Sequence, residues 1–132
     1  MSTLTLKIKD ETAAGKVYHE INLSFTSEIV TVKDIITARV IAEVQTYNDK
    51  LPEYFNGLVQ PNDAEKTLNG FRIKQKRKID PEQQVYAALN AFNNNAFFLL
   101  IDNIQAESLD QMIVINKDTV ASFVKLTPLV GG

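Results

Sequence analysis

Leu4-Thr5-Leu6-Lys7-Ile8-Lys9 and Val17-Tyr18-His19-Glu20-Ile21-Asn22-Leu23 decide the fold. In the first stretch Leu4, Leu6 and Ile8 alternate with Thr5, Lys7 and Lys9, the period of a strand with one buried and one wet face. In the second, Val17, His19, Ile21 and Leu23 alternate with Tyr18, Glu20 and Asn22. Between them, Asp10 to Lys16 supplies turn residues, Gly15 among them. Two amphipathic strands this close together predict an antiparallel hairpin. The alternation places His19 among apolar neighbours, where a hydrogen-bonded structural role is expected and no chemistry is assigned.

Outward from the hairpin, Thr31-Val32-Lys33-Asp34 has the spacing of a capping box and predicts a helix start. Val32, Ile36, Val40 and Val44 recur every four residues with Ile35 and Ile41 beside them, so this stripe is expected to face the core. Lys33, Thr37 and Glu43 are expected to face water, and the helix to end near Tyr47 or Asn48. From Asp49 to Gly70 the turn chemistry of Pro52, Gly57, Pro61, Asn62, Asp63, Asn69 and Gly70 predicts a loop. Phe71, Ile73, Gln75, Arg77 and Ile79 then alternate with Arg72, Lys74, Lys76 and Lys78, which reads as a strand or extended arm with a basic face. Asp80-Pro81-Glu82 places a cap, a proline and an acid at a second helix start. Val85, Ala88, Leu89 and Phe92 form its stripe, and Asn93-Asn94-Asn95 ends it.

Phe97-Phe98-Leu99-Leu100-Ile101 is a continuous apolar run closed by Asp102-Asn103. It predicts a strand buried on both faces and central in the sheet. Ile104-Gln105 is expected as a short edge strand, a single helical turn near Ser108, and Met112 to Ile115 as a return into the core. A last strand is expected over Thr119–Thr127. There Val120, Val124 and Leu126 compete with Ala121 and Phe123 for the inner side; with Val124 and Leu126 inward, Phe123 lies near the surface, partly buried in the core as the commoner outcome or a candidate partner contact.

Composition limits what such a chain does. It has 132 residues, 45% of them hydrophobic, enough for the core of one domain. Fourteen basic and 16 acidic residues leave a net charge of −2, so no overall field favours nucleic acid or an anionic membrane. Without cysteine there is no thiol nucleophile and no thiolate metal site, and a single histidine argues against a zinc centre or a histidine-based hydrolase. No catalytic residue or metal ligand is therefore assigned. Lys74, Lys76, Arg77 and Lys78 form a local basic run without interleaved exposed aromatics. A solvated edge or a docking face for an acidic protein suits it better than a nucleic-acid site. Met1 to Asp10 lacks a leader pattern and no run approaches the ~18 apolar residues of a membrane span, so a cytoplasmic protein is expected.

Leu126-Thr127-Pro128-Leu129-Val130-Gly131-Gly132 is the remaining stretch. Two glycines carry no Cβ, so a narrow channel accepts them and brings the carboxylate of Gly132 to a reactive centre. Pro128 fixes φ and removes a donor, which keeps the tail out of a central strand.

The hairpin over Thr3–Phe25, the helix from Thr31 and the stretch from Phe97 to Gly132 together resemble the ubiquitin-like modifiers. The ending from Phe123 to Gly132 is similar to bacterial ubiquitin-like proteins encoded beside ubiquitin-activating-type enzymes and JAB-type metallopeptidases, some of them in phage-defence operons. The resemblance covers about two thirds of the chain. It implies an α+β, ubiquitin-like β-grasp domain over 1–125 with an insertion at about 49–96, and a flexible tail over 126–132. It implies that this protein is a substrate and not an enzyme. A partner activating enzyme would use ATP and magnesium to adenylate Gly132, with Gly131 giving access and Pro128, Leu129 and Val130 contacting that enzyme. A conjugating-type enzyme and target-protein lysines would follow, and no maturation cut would be needed. Ubiquitin carries arginines in its tail where Pro128 and Val130 stand here, which implies a more apolar activating enzyme. A sulfur carrier ending as a thiocarboxylate and a non-covalent β-grasp interaction module are the two other readings.

Overall fold

The computed structural model describes residues 3–50 and 79–125, and between them the strands Tyr54–Phe55, Ala64–Lys66 and Phe71–Ile73. The fold is mixed α+β, with two helices and a five-stranded mixed sheet, an arrangement compatible with a β-grasp. The chain divides into two compact units, one of Met1–Ile35 with Ala91–Gly132 and the other of Ile36–Asn90. The division falls inside each helix. No helix among the described residues is long and apolar enough to cross a membrane.

In the first unit, β1 (Leu4–Glu11) and β2 (Val17–Phe25) form the predicted hairpin, with Leu6 opposite Leu23 and Ile8 opposite Ile21. The connection closes through Thr12, whose N–H donates to the Lys16 carbonyl (2.9 Å) and whose carbonyl accepts from Gly15 N–H (2.9 Å). Gly15 has φ +90°, a conformation that costs a residue with a Cβ. β10 (Val120–Lys125) runs parallel to β1 and antiparallel to β7 (Phe97–Ile101), and β8 (Ile104–Gln105) completes the order β2-β1-β10-β7-β8. The middle place therefore belongs to β10, not to β7 as the sequence suggests. β7 also alternates between buried and half-buried residues where burial on both faces was expected. Its neighbour β8 is only two residues long, so one edge of β7 lies close to the rim of the sheet.

Asp102 and Asn103 join β7 to β8 with φ of 49° and 69°. Two successive left-handed residues suit the right-handed twist of a hairpin, and Asp and Asn tolerate them. Asp102 also accepts the Val120 N–H on Oδ1 (2.9 Å) and donates its own N–H to the Val120 carbonyl (2.9 Å), tying the turn to the start of β10. A pairing the sequence did not announce joins β3 (Ile29–Thr31) to β9 (Met112–Val114) as a separate two-stranded ribbon. The expected helical turn near Ser108 is a hydrogen-bonded turn, Gln111 N–H to Ser108 carbonyl (3.2 Å).

α1 (Val32–Lys50) starts at the predicted capping box. Thr31 N–H donates to Asp34 Oδ2 (3.0 Å) and Asp34 N–H to Thr31 Oγ1 (3.1 Å). Two further donors of the first turn, Val32 and Lys33 N–H, reach the carbonyls of Gln111 and Leu109 (3.0 Å each). The start of the helix therefore leaves few orphan donors.

In the second unit, Ile36, Val40, Val44 and Tyr47 of α1 are buried as the four-residue period requires. Two expectations fail on its flanks. Ile41 is exposed, and Glu43 is buried beside the wholly buried Arg39, whose Nη2 and Nε lie 2.6 and 2.8 Å from Glu43 Oε1. A charge at i+4 from an arginine buries with it because the pair neutralises itself, which hydropathy period alone does not register. Asn48 holds Ile79 by both amide atoms, Oδ1 accepting the Ile79 N–H (2.8 Å) and Nδ2 donating to its carbonyl (3.1 Å).

β4 (Tyr54–Phe55), β5 (Ala64–Lys66) and β6 (Phe71–Ile73) form a three-stranded antiparallel sheet in the order β4-β6-β5. The stretch from Asp49 to Gly70 thus contains two strands where a loop was expected. α2 (Pro81–Asn93) begins as predicted, with Asp80 Oδ1 accepting the Glu82 N–H (3.1 Å). Its last residues lie in the first unit, where Asn95 takes φ 59° and Ala96 N–H reaches back to the Ala91 carbonyl (2.9 Å), a left-handed helix stop.

Candidate functional site

The end of β10 is where the sequence concentrates its functional signals, and the register of the sheet defines its surroundings. On one face Phe123 stands beside Leu99 of β7 and Asp10 of β1, with Ala121 beside Ile101 and Ile8. On the other face Val124 stands beside Phe98 and Glu11, Ser122 beside Leu100 and Lys9, and Val120 beside Lys7.

Phe123 is 0% exposed, so it is a core residue and not a partner surface. Its ring centroid lies 5.7 Å from that of Phe97, which lies 5.9 Å from Phe92, and the three rings make a tilted aromatic row. Val124 is half-buried on the opposite face. The competition between the two faces of β10 was resolved by the larger ring, which removes more apolar area from water than a valine does.

The opposite face carries Phe98, Leu100, Val120 and Val124, all half-buried, with exposed Lys7 and half-buried Lys9 beside them on β1. This is an apolar strip on β7 and β10, rimmed by the cations of β1. At the exit of β10 Lys125 pairs with Phe97, and Glu11 with Val124.

His19 is hydrogen-bonded as expected, but to a carboxylate and not among apolar neighbours. It is 44% exposed, and its Nδ1 lies 3.1 Å from Oδ2 of Asp10, a carboxylate 1% exposed. The sequence assigned Asp10 to the turn, yet it belongs to β1 and points to the same side as Leu6 and Ile8. A buried carboxylate needs a hydrogen-bonding partner, and the histidine directly opposite supplies one.

Pro128, Leu129, Val130, Gly131 and Gly132 lie outside the described residues, as do Lys74, Lys76, Arg77 and Lys78. Among the described residues no group of three or more His, Asp or Glu side chains is placed to hold a metal ion.

One feature that sequence reasoning missed is the outer face of the β3–β9 ribbon, where Ile29, Met112 and Val114 are 47%, 68% and 65% exposed while Val30 and Ile113 are buried. The signal was present in the alternation of Met112-Ile113-Val114-Ile115, which is a half-buried strand and not a wholly buried return. Comparisons with models of protein families, with curated proteins and with solved structures found no match to this chain.

Proposed function

We propose that this protein is a ubiquitin-like modifier with a β-grasp domain, an insertion at about 49–96, and a reactive carboxyl group at Gly132. The observation that carries the reading is the strand order β2-β1-β10-β7-β8. Its last strand fills the middle of the sheet parallel to β1 and leads from Lys125 into Leu126-Thr127-Pro128-Leu129-Val130-Gly131-Gly132. A strand held by neighbours on both sides is a firm anchor for a tail offered to another protein. The glycines supply a terminus that passes where a Cβ would clash.

The chemistry belongs to partners. A carboxylate resists acyl transfer because oxide is a poor leaving group. An activating enzyme with ATP and magnesium would join the Gly132 carboxylate to the α-phosphate, releasing pyrophosphate. A cysteine thiolate of that enzyme would attack the acyl carbon and release AMP. After transfer to a conjugating-type enzyme, the amine of a target lysine would displace the thiolate and leave an isopeptide bond. A JAB-type metallopeptidase would reverse the last bond by hydrolysis. Pro128, Leu129 and Val130 would contact the activating enzyme. The half-buried strip of Phe98, Leu100 and Val124 with Lys7 and Lys9 would offer it a second surface.

The test is to supply the protein, ATP and magnesium to an activating enzyme from the same cell together with whole lysate. Trypsin cuts after Lys125, so a modified lysine should carry residues 126–132 as a branch. Accumulation of a C-terminal thiocarboxylate with no branched lysine would show a sulfur carrier instead. Absence of both would show that the carboxyl group is not activated and that the chain acts by non-covalent binding.

A further inference from the structure

The two edges of the five-stranded sheet are managed differently. β8 is two residues long and ends at once, which blunts it as a pairing template. β2 is nine residues long, and its sequence VYHEINLSF has none of the lysines or prolines that usually guard an edge. Its only sheet neighbour among the described residues is β1.

One device does interrupt it. The register passes from Asp10 opposite His19 to Glu11 opposite Val17, so Tyr18 is an extra, bulged residue. Beyond the bulge, His19–Phe25 pairs without a break, and its midpoint is Asn22.

We propose that this regular part of β2 is a homodimer interface, in which a second copy pairs antiparallel about a twofold axis through Asn22. A twofold perpendicular to a sheet keeps matching faces together only if it passes through a residue, because facing alternates with period two. Placed at Asn22, it uses every residue of the regular segment.

It also makes the segment complementary to itself. Half-buried Ile21 meets buried Leu23 on the inner face, and exposed Glu20 meets the exposed Ser24 hydroxyl on the outer face. His19 meets Phe25. An axis at Glu20 would instead oppose two carboxylates and run into the Tyr18 bulge, and an axis at Ser24 would run off the end of the strand. At this axis apolar residues meet on the inner face, no like charges meet on the outer face, and the whole regular segment is used, which is what fits it to a second copy of itself.

One strand pair is smaller than the ~800 Å² per partner of a standard stable interface, so the dimer is concentration-dependent. The inference goes beyond the modifier reading and does not depend on it. β10 is two strands away from the seam, so both copies keep that strand's end clear.

Sedimentation equilibrium of the full chain from low micromolar to millimolar concentration tests this, with Ser24→Glu and Ser24→Lys as the paired variants. Ser24 is exposed and faces Thr5 within its own hairpin, so both variants should melt like the parent by circular dichroism. The first opposes Glu20 with a carboxylate at two symmetry-related places and should weaken the dimer roughly 2- to 30-fold. The second opposes it with an ammonium and should strengthen the dimer. Matched substitutions of exposed Asn93 to Glu and Lys control for net charge and should change nothing. Three results would each overturn the proposal: a chain monomeric throughout, a dimer that shifts the same way or not at all with both Ser24 variants, or one abolished by Met112→Glu while indifferent to Ser24.

Discussion

Replacing Phe123 by alanine tests the facing of β10, on which the core of the first unit depends. Phe123 is wholly buried and its ring packs at a tilt against Phe97, which in turn packs against Phe92. Removing a buried phenyl ring costs about 3–5 kcal/mol through lost transfer energy and the cavity left behind. The loss of the Phe97 partner, worth about 0.5–1.5 kcal/mol, pushes the expectation toward the upper end. The comparison variant is Val124→Ala, on the half-buried face one residue on, where about 1 kcal/mol is expected from partial burial of a valine. With a urea dependence of about 1–3 kcal/mol per molar, Phe123→Ala should lower the unfolding midpoint by roughly 1–5 M, several times the effect of Val124→Ala. Equilibrium urea unfolding followed by far-ultraviolet circular dichroism reads the midpoint. Hydrogen exchange in β1, β7 and β10 confirms that the loss falls in the first unit. A Phe123→Ala midpoint no lower than that of Val124→Ala would mean the opposite face of β10 is the core face, and the aromatic row would be refuted.

Thr31→Ala should cost about 0.5–2 kcal/mol by removing the cap on Asp34 N–H, measured by thermal unfolding. Arg39→Ala should cost about 3–5 kcal/mol because it leaves buried Glu43 without this partner, whereas Arg39→Met with Glu43→Leu should be near neutral or stabilising in the same denaturant assay. At φ 69°, Asn103→Val should destabilise by about 1–2 kcal/mol while Asn103→Gly costs nothing measurable, both read from the melting temperature. Gly132→Trp should leave the far-ultraviolet spectrum and melting temperature unchanged but abolish ATP-dependent pyrophosphate release with an activating enzyme; continued release would refute Gly132 as the reactive carboxylate.

Local chemistry was legible in the sequence wherever a few neighbouring residues decide the outcome. The Thr31–Asp34 box and Asp80 before Pro81 each act over three residues, and both helices begin where those signals stand. The Leu4–Leu23 alternation carries its own register because a slip of one residue would turn Leu6 and Ile8 toward water. For the tail in which a reactive end is proposed the sequence remains the whole source, since Pro128 to Gly132 lie outside the described residues. The strand that leads into it and the residues beside that strand come from the structure.

What the sequence hid were relations between distant residues. Asp10 reads as a turn residue because its burial depends on a histidine nine positions away, and Glu43 reads as wet because its burial depends on Arg39. In each case a carboxylate that hydropathy sends to the surface is held inside by a partner, and pattern reading scores residues without partners. The same logic explains β10. Alternation showed that Phe123 and Val124 must face opposite ways, but only the rings of Phe97 and Phe92 decide which of them goes inward. It also explains β3 and β9: alternation is visible over Met112 to Ile115, but nothing along the chain names Ile29–Thr31 as the partner strand. Each exists because the other satisfies its backbone, with Ile115 N–H reaching the Glu28 carbonyl just beyond the paired residues. A strand is therefore legible from sequence in proportion to how much of its facing is determined along the chain and not across the sheet. By that measure β1 was the easiest to place, whereas the Tyr18 bulge interrupts the alternation of β2, whose outer edge became visible only once the order of the sheet showed that no described strand lies beyond it.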